Sequence, residues 1–293
     1  MRKVIIVLIF IAIVLYFPFK TQVDNFVKEN ILYKFIRYEG NEYFVNKDFG
    51  DFNYYNELVV YNRKDVLDIF YTFINRGTEE FHFYCDPNYF GCKQDIITLI
   101  DEKDELLYIN DFVHTFNMFD GIKMDIDGKK IHFNTEKNYS YEESKTLEVE
   151  IKRIISEITT DSMSIEEKIK FLHNYIILNV EYDEKYAYDI KHGIENNSLS
   201  YKASGALFDK KAVCSGYTDL MALFLSYLNV PNIKVSTKTH VWNAVYLNNK
   251  WHHIDVTNDD IGNNISYEYF MLDSNEIHHD EYHNYSKIIY PFL

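Results

Sequence analysis

Positive charge is what this chain most lacks. It sets 30 Lys and Arg against 45 Asp and Glu, a formal net charge of -15. A phosphate backbone calls for clustered cations, so nucleic acid is excluded as a partner. Cysteine is scarce too, with three in all. Cys85 and Cys92 are not spaced as C-x2-4-C, and no second pair exists to complete a tetrahedral zinc site. No metal and no cofactor is therefore expected. Tryptophan (2) and proline (4) are few beside 26 Tyr and 22 Phe, and scattered aromatics of this kind pack cores and strands. No internal repeat and no low-complexity tract occurs. With 293 residues, 47% of them hydrophobic, disorder is excluded and about two domains are expected.

What is present begins with an apolar run. Arg2 and Lys3 precede VIIVLIFIAIVLYFPF, uncharged from Val4 to Phe19. The run is short for a spanning helix, which needs about 20 residues, and long for the core of a signal peptide. No A-x-A-like site follows it, so a retained anchor over residues 1–20 is preferred to a cleaved signal. Basic residues ahead of the run would hold that end in the cytoplasm. The expectation is a single-pass protein of the cell membrane with the bulk of the chain extracellular; a secreted protein is the alternative.

Residues 21–138 read as a small mixed α/β region of unknown role. KDVLDIFYTFINRG places Val66, Ile69, Phe70, Phe73 and Ile74 at helical spacing, with Gly77 as a left-handed stop. EFHFYC is a strand, and IKMDIDGKKIHFN alternates as a hairpin around Asp127-Gly128. Cys85 and Cys92 bracket DPNYFG, a turn-rich loop that a disulfide would close in an oxidising compartment; two buried free thiols is the other reading. A domain boundary falls in the polar, aperiodic stretch from Asn134 to Tyr141.

Residues 139–293 carry the chemistry. A helix is expected near Glu142 to Thr159, and a second begins at a Ser164/Glu167 capping box and runs on through Ile165, Ile169, Leu172 and Ile176. After a polar loop around His192 to Ser200, KKAVCSGYTDLMALFLSYLNV starts a third. Its apolar stripe is Val213, Tyr217, Leu220, Met221, Phe224 and Leu228. The odd cysteine, Cys214, thus falls in a first helical turn, where unpaired N–H groups and the macrodipole favour a thiolate. A small buried space-filler is the plain alternative.

Two alternating strands follow, NIKVSTKTHVWNAVYL and KWHHIDVT, joined by Asn248-Asn249. If those Asn are the loop, Leu247 faces Lys250, His240 lies opposite Thr257 and Trp242 opposite Asp255. Asp255 is then the diagonal neighbour of His240 on one face. A thiol, an imidazole and a carboxylate that fixes its tautomer are the parts of a cysteine acyl-transfer site. His253 shares that face by alternation and would line the cleft, whereas His252 points away. HHDEYH, from His278 to His283, lacks the order H-E-x-x-H. Its H-x-E step also lacks the P-C-x-x-C of zinc deaminases, so it reads as a solvated tail helix. Asp259-Asp260 reads as a polar turn.

The stretch from Tyr201 to Asp260 closely resembles the transglutaminase-like superfamily, whose pattern is a Cys in a "vCxGya" helix start, a "HaWN" strand and a "w..iDvT" strand. All three occur here in order, and SIEEKIKFLHNYIILNVEYD resembles the helix before them. The resemblance implies Cys214 as nucleophile, His240 as general acid and base, and Asp255 as orienting carboxylate. The fold it implies is α+β and papain-like, a Cys-bearing helix packed on an antiparallel sheet. Two departures stand out. Asn258 replaces the family's usual Trp after "DvT", a change of packing more than of chemistry. Transglutaminases proper also place a Trp ahead of the His strand, whereas Trp242 and Trp251 both follow His240. The Cys214 backbone N–H, with Tyr201 as an upstream side chain, is the expected oxyanion partner, and Trp242 and His253 are further expected substrate contacts. No calcium site is carried over.

The function expected is a thiol enzyme that forms an acyl-enzyme thioester on an amide bond of a protein or peptide, with the cell envelope as one setting. Hydrolysis of a peptide or side-chain amide comes first and cross-linking by transamidation second. An inactive copy of the fold serving as a binding module, or a sensor or adhesion role for residues 21–138, would be the alternatives.

Overall fold

The computed structural model describes residues 58–101, 106, 108–262, 264–277 and 282–293. The expected membrane segment lies outside them; among the described residues no helix is long and apolar enough to cross a membrane.

β1 (Val59–Val60) leads into α1 (Arg63–Asn75), which Asn62 caps by accepting from the Asp65 N–H. Val66, Ile69, Phe70, Phe73 and Ile74 are buried as their spacing requires, and Gly77 takes a φ of +67° just past the helix end. β2 (Glu80–Cys85) and α2 (Cys92–Asp101) follow, joined by a Cys85–Cys92 disulfide. Closing so short a loop is worth about 2.5 kcal/mol on chain-entropy grounds. Replacing both cysteines with Ser is expected to lower the free energy of unfolding by about that amount, read from a denaturant titration. β3 (Phe119–Asp127) and β4 (Lys130–Lys137) form the hairpin. Asp127 pairs with Lys130, so the two-residue loop is Gly128-Lys129, one position later than the sequence centre. The cause is glycine's freedom, since Gly128 enters the turn at φ +59°. The first sheet has the order β1-β2-β4-β3, with only β1 and β2 parallel.

α3 (Tyr141–Ile158) starts at Ser140, and α4 (Ile165–Asn179) at the Ser164/Glu167 capping box, with both reciprocal bonds made. The two-stranded pair β5 (Glu181–Tyr182) and β6 (Lys211–Ala212) flanks α5 (Glu184–Lys191), a helix the sequence pattern did not single out. α6 (Cys214–Tyr227) is buried along Gly216–Leu225 rather than on one stripe, because it lies between the second sheet and α3 and α4. That sheet has the order β10-β9-β8-β7 and is antiparallel. Its strands are β7 (Asn232–Ser236), β8 (Val241–Leu247), β9 (Lys250–Ile254) and β10 (Phe270–Leu272), and a short helix, α7 (Val256–Asp259), leaves β9.

The core divides by the faces of this sheet. Val245 and Ile254 join α3, α4 and α6 in one hydrophobic cluster. Ile233, Val235, Trp242 and Ala244 turn the other way, into a cluster with α1, β2, β4 and the C-terminal Ile277, Tyr285 and Tyr290. The second cluster therefore draws on residues from both sides of position 138. Buried polar contacts reinforce the join: Ser236 and Tyr290 hydroxyls donate to Asp111 at 2.9 and 2.5 Å. Lys234 Nζ lies 3.0 Å from Asp219 on α6, whose other oxygen accepts from Tyr139 at 2.7 Å.

Candidate active site

Cys214 is the first residue of α6, where backbone N–H groups have no partner within the helix. Its approach is fixed from behind: β6 pairs with β5, and the Val213 N–H donates to the Ser200 carbonyl at 2.8 Å. The Ser200 hydroxyl in turn donates to Asp183 at 2.5 Å. Gly216 makes this closeness workable, since a Cβ there would collide with the Ser200 carbonyl oxygen and with Ala212 Cβ, both of them in firmly held chain. Gly216→Ala is expected to cost about 1–3 kcal/mol through overpacking and to slow alkylation of Cys214, measured by thermal unfolding and thiol labelling.

The helix is tied to the sheet next to the imidazole. The Thr218 hydroxyl donates to the Val241 carbonyl (2.9 Å), and the Asn243 amide donates to the Thr218 carbonyl (3.1 Å). His240 closes a turn in which its N–H donates to the Thr237 hydroxyl at 3.1 Å. The register is the one the Asn-Asn loop demands, with Leu247 opposite Lys250 and both Asn at positive φ. The ladder nevertheless stops at Asn243/Ile254, so the expected pairs His240/Thr257 and Trp242/Asp255 are not formed. Asp255 instead caps α7, its Oδ1 accepting from the N–H groups of Thr257 (3.0 Å) and Asn258 (3.1 Å). Its Oδ2 lies 2.5 Å from His240 Nε2.

Two opposing effects set the charge of this pair. Burial raises the Asp255 carboxyl, but hydrogen bonds from His240 and His283 outweigh it and bring it down to about 2. Burial lowers His240, but the bond to Asp255, then that to Cys214, carries it up to about 10. An ionised carboxylate only accepts, so His240 donates from Nε2, and Nδ1 is the ring nitrogen not engaged by Asp255. Cys214 and His240 meet in a cleft of about 910 Å³, with Tyr182, Thr257, Asn258 and the carboxylates of Glu181, Glu184 and Asp260 on its walls.

Other expectations are corrected. Trp242 and His253, expected to meet substrate, are fully buried and lie outside the cleft. The Trp242 indole donates to His253 Nδ1 at 3.0 Å and stacks on His240 with centroids 5.8 Å apart. The strand alternation of His253 holds, but its face is covered by Ser274 and Tyr285. Tyr201 stacks on Tyr186 at 6.2 Å and is absent from the cleft wall. His252 lies 3.5 Å from Asp273. Asp259-Asp260 is no simple polar turn: Asp259 is buried against His173 at 3.0 Å, and Asp260 accepts from the Tyr217 hydroxyl at 2.6 Å. Nor is the described end of HHDEYH a solvated helix, because His283 is fully buried with Nε2 at 2.8 Å from Asp255 Oδ2. Sequence reasoning missed His283; only its place in a His-rich run hinted at a role.

His240, Asp255 and His283 are the group of three among the described residues that could present ligand atoms to a metal ion. Both imidazoles sit on one carboxylate oxygen at hydrogen-bond distances, however. Bonds of about 2 Å to a shared tetrahedral ion would need nitrogen and oxygen farther apart, so the geometry is that of hydrogen bonding.

A thiol at a helix N-terminus and an imidazole just ahead of a strand of the antiparallel sheet thus line one cleft. Residues 152–256 match the family model described as Transglutaminase-like superfamily, so this part of the chain is a transglutaminase-like domain. The match supports a thiol enzyme of that family. No curated protein matches the chain. Two solved structures are similar in part: one described as a TGase (18% identity, TM-score 0.39, covering 72% of this chain) and one described as a proposed cysteine protease from Cytophaga hutchinsonii (12% identity, TM-score 0.29, covering 47%). This chain spans 61% of the length of each.

Proposed function

We propose that the chain is a cysteine amidohydrolase in which Cys214 is the nucleophile, His240 the acid and base, and Asp255 the carboxylate that orients it. The observation that carries this reading is the placement of His240, held 2.5 Å from a buried Asp255, on the wall of one open cleft that Cys214 also lines. The Cys214 sulfur adds to the carbonyl carbon of an amide. The tetrahedral adduct collapses with loss of the C–N bond, and His240 delivers the proton to the departing amine. Water, deprotonated by His240, then cleaves the thioester to an acid and restores the thiol. The Cys214 backbone N–H, at the helix start, is the donor for the oxyanion.

Cross-linking is a second reading, favoured by the three carboxylates Glu181, Glu184 and Asp260, which outnumber the one cation, Lys210, on the cleft wall and would draw a cationic amine toward the thioester. The full chain is expected to react with iodoacetamide at Cys214 much faster than a simple thiol, and His240→Ala to slow it; equal rates would point to an inactive binding module. Offering a glutamine donor with and without a labelled primary amine divides the rest: ammonia without incorporated label marks a hydrolase, incorporated label a transamidase.

An extracellular setting is part of the proposal, supported by the Cys85–Cys92 disulfide, which suits an oxidising compartment. Protease added to intact cells is then expected to trim the chain beyond Lys20, and complete protection would reverse that orientation.

A further inference from the structure

Asp255 is unusually well supplied with donors. An ionised carboxylate has about four acceptor positions, and this one, 1% exposed, receives four N–H groups. Two come from the backbone of α7 to Oδ1 and two from imidazoles to Oδ2. His240 is one of those imidazoles. The other, His283, comes from the C-terminal segment, beyond the last residue that the family model covers. Its ring is locked where it lies: Tyr269 stacks on one face (4.9 Å, 23°), and Trp242 meets it edge-on (4.8 Å, 74°). Trp242 in turn stacks on His240, so the two imidazoles share one aromatic neighbour and one carboxylate oxygen.

We propose that His283 is a positioning residue: its Nε2–H anchors Asp255 Oδ2 so that the carboxylate holds His240 with Nδ1 toward Cys214, and the C-terminal segment thereby completes the site. The proposal rests on the reading of Cys214, His240 and Asp255 as the reacting set. The physical reason lies in the count of donors. Without His283 a buried anion has one acceptor position unfilled, and Oδ2 is held by a single imidazole. The carboxylate can then turn about its side-chain bonds, and His240 turns with it. The charged and titratable groups around this point are Cys214 from α6, Asp255 just past β9, His283 and Tyr282 from the C-terminal segment, Tyr269 against the His283 ring, and the cleft-wall groups Glu181, Tyr182, Glu184, Lys210 and Asp260.

Two substitutions in the full chain separate positioning from packing. His283→Phe keeps an aromatic ring between Tyr269 and Trp242 but removes the donor; His283→Gln returns an N–H at the reach of Nε2. The Phe variant is expected to alkylate at Cys214 roughly tenfold more slowly, the scale of a lost supporting hydrogen bond, and the Gln variant to recover to within about twofold of wild type. Nitrogen-15 NMR of the histidine rings gives a readout that packing alone would not move: His240 should titrate at lower pH in His283→Phe and return in His283→Gln. In an Asp255→Asn background, His283→Phe should add no further loss. A folded Phe variant with wild-type rate and wild-type His240 titration overturns the proposal. If the Phe variant does not fold, the Gln variant decides, wild-type behaviour supporting the proposal and a tenfold loss in a folded protein overturning it. Should His240→Ala leave alkylation of Cys214 unchanged, the reading of the site fails, while the His240 titration still scores the role of His283.

Discussion

Replacing Asp255 with Asn is expected to cut amide turnover by roughly 10^4 while the protein stays folded. Asn caps a helix about as well as Asp, so Oδ1 still accepts from Thr257 and Asn258. The other terminus becomes an NH2 group. It faces two imidazole Nε2–H donors where the carboxylate offered an acceptor. Donor opposite donor is resolved by loss of the Nε2 proton, which leaves His240 neutral with its remaining proton on Nδ1, the side of the sulfur. An imidazole in that state cannot take the thiol proton. Kinetics of the variant on an amide substrate, with unfolding followed in parallel, check both halves; turnover within tenfold of wild type would mean that Asp255 does not orient His240.

Amide turnover is expected to hold through neutral pH and to fall roughly tenfold per unit above about pH 10, the value to which His240 is raised. The departing amine needs the protonated imidazole. Burial alone would make that form scarce near neutrality, but the Asp255 and Cys214 hydrogen bonds outweigh it. Stability follows the same sign. His240 lies higher folded than its ordinary 6.5, so its contribution is whole below pH 6.5 and is lost as pH climbs to about 10. The loss is on the order of a few kcal/mol. Asp255 lies lower folded than its ordinary 3.8, so its contribution is whole above that value and is lost as pH falls through about 2. Profiles of kcat/KM and of unfolding midpoint against pH, for wild type and His240→Ala, test this; an alkaline limb near pH 6.5 would contradict the geometry.

Much of the local structure was legible from residue patterns because the signals were local. The Ser164/Glu167 box, the left-handed Gly77 and the Asn248-Asn249 loop each act within a few residues of themselves, and each does what its chemistry requires. The hairpin register followed from the Asn pair alone. Face assignments on the sheet were legible only in part. Alternation put His253 on the right face but could not say that Ser274 and Tyr285 cover it. The stripe on α6 understated its burial, because a helix packed on both sides has no solvent face for periodicity to reveal. Asp259 looked like turn chemistry and is a buried partner of His173, 86 residues distant in sequence.

By itself the sequence determined which thiol, imidazole and carboxylate are candidates, and which segment of the chain is transglutaminase-like. It also set the hairpin register that brings His240 and Asp255 near each other. Those are consequences of neighbouring residues and of strand geometry, which act over short chain distances. Only the tertiary structure decided that β9 ends at Ile254 so that Asp255 caps a helix. It also decided that residues on both sides of position 138 share a core behind the sheet, and that His283 reaches the same oxygen as His240 from 28 residues farther along the chain. Contacts of that kind depend on where distant segments come to rest on one another, and no local pattern encodes the meeting.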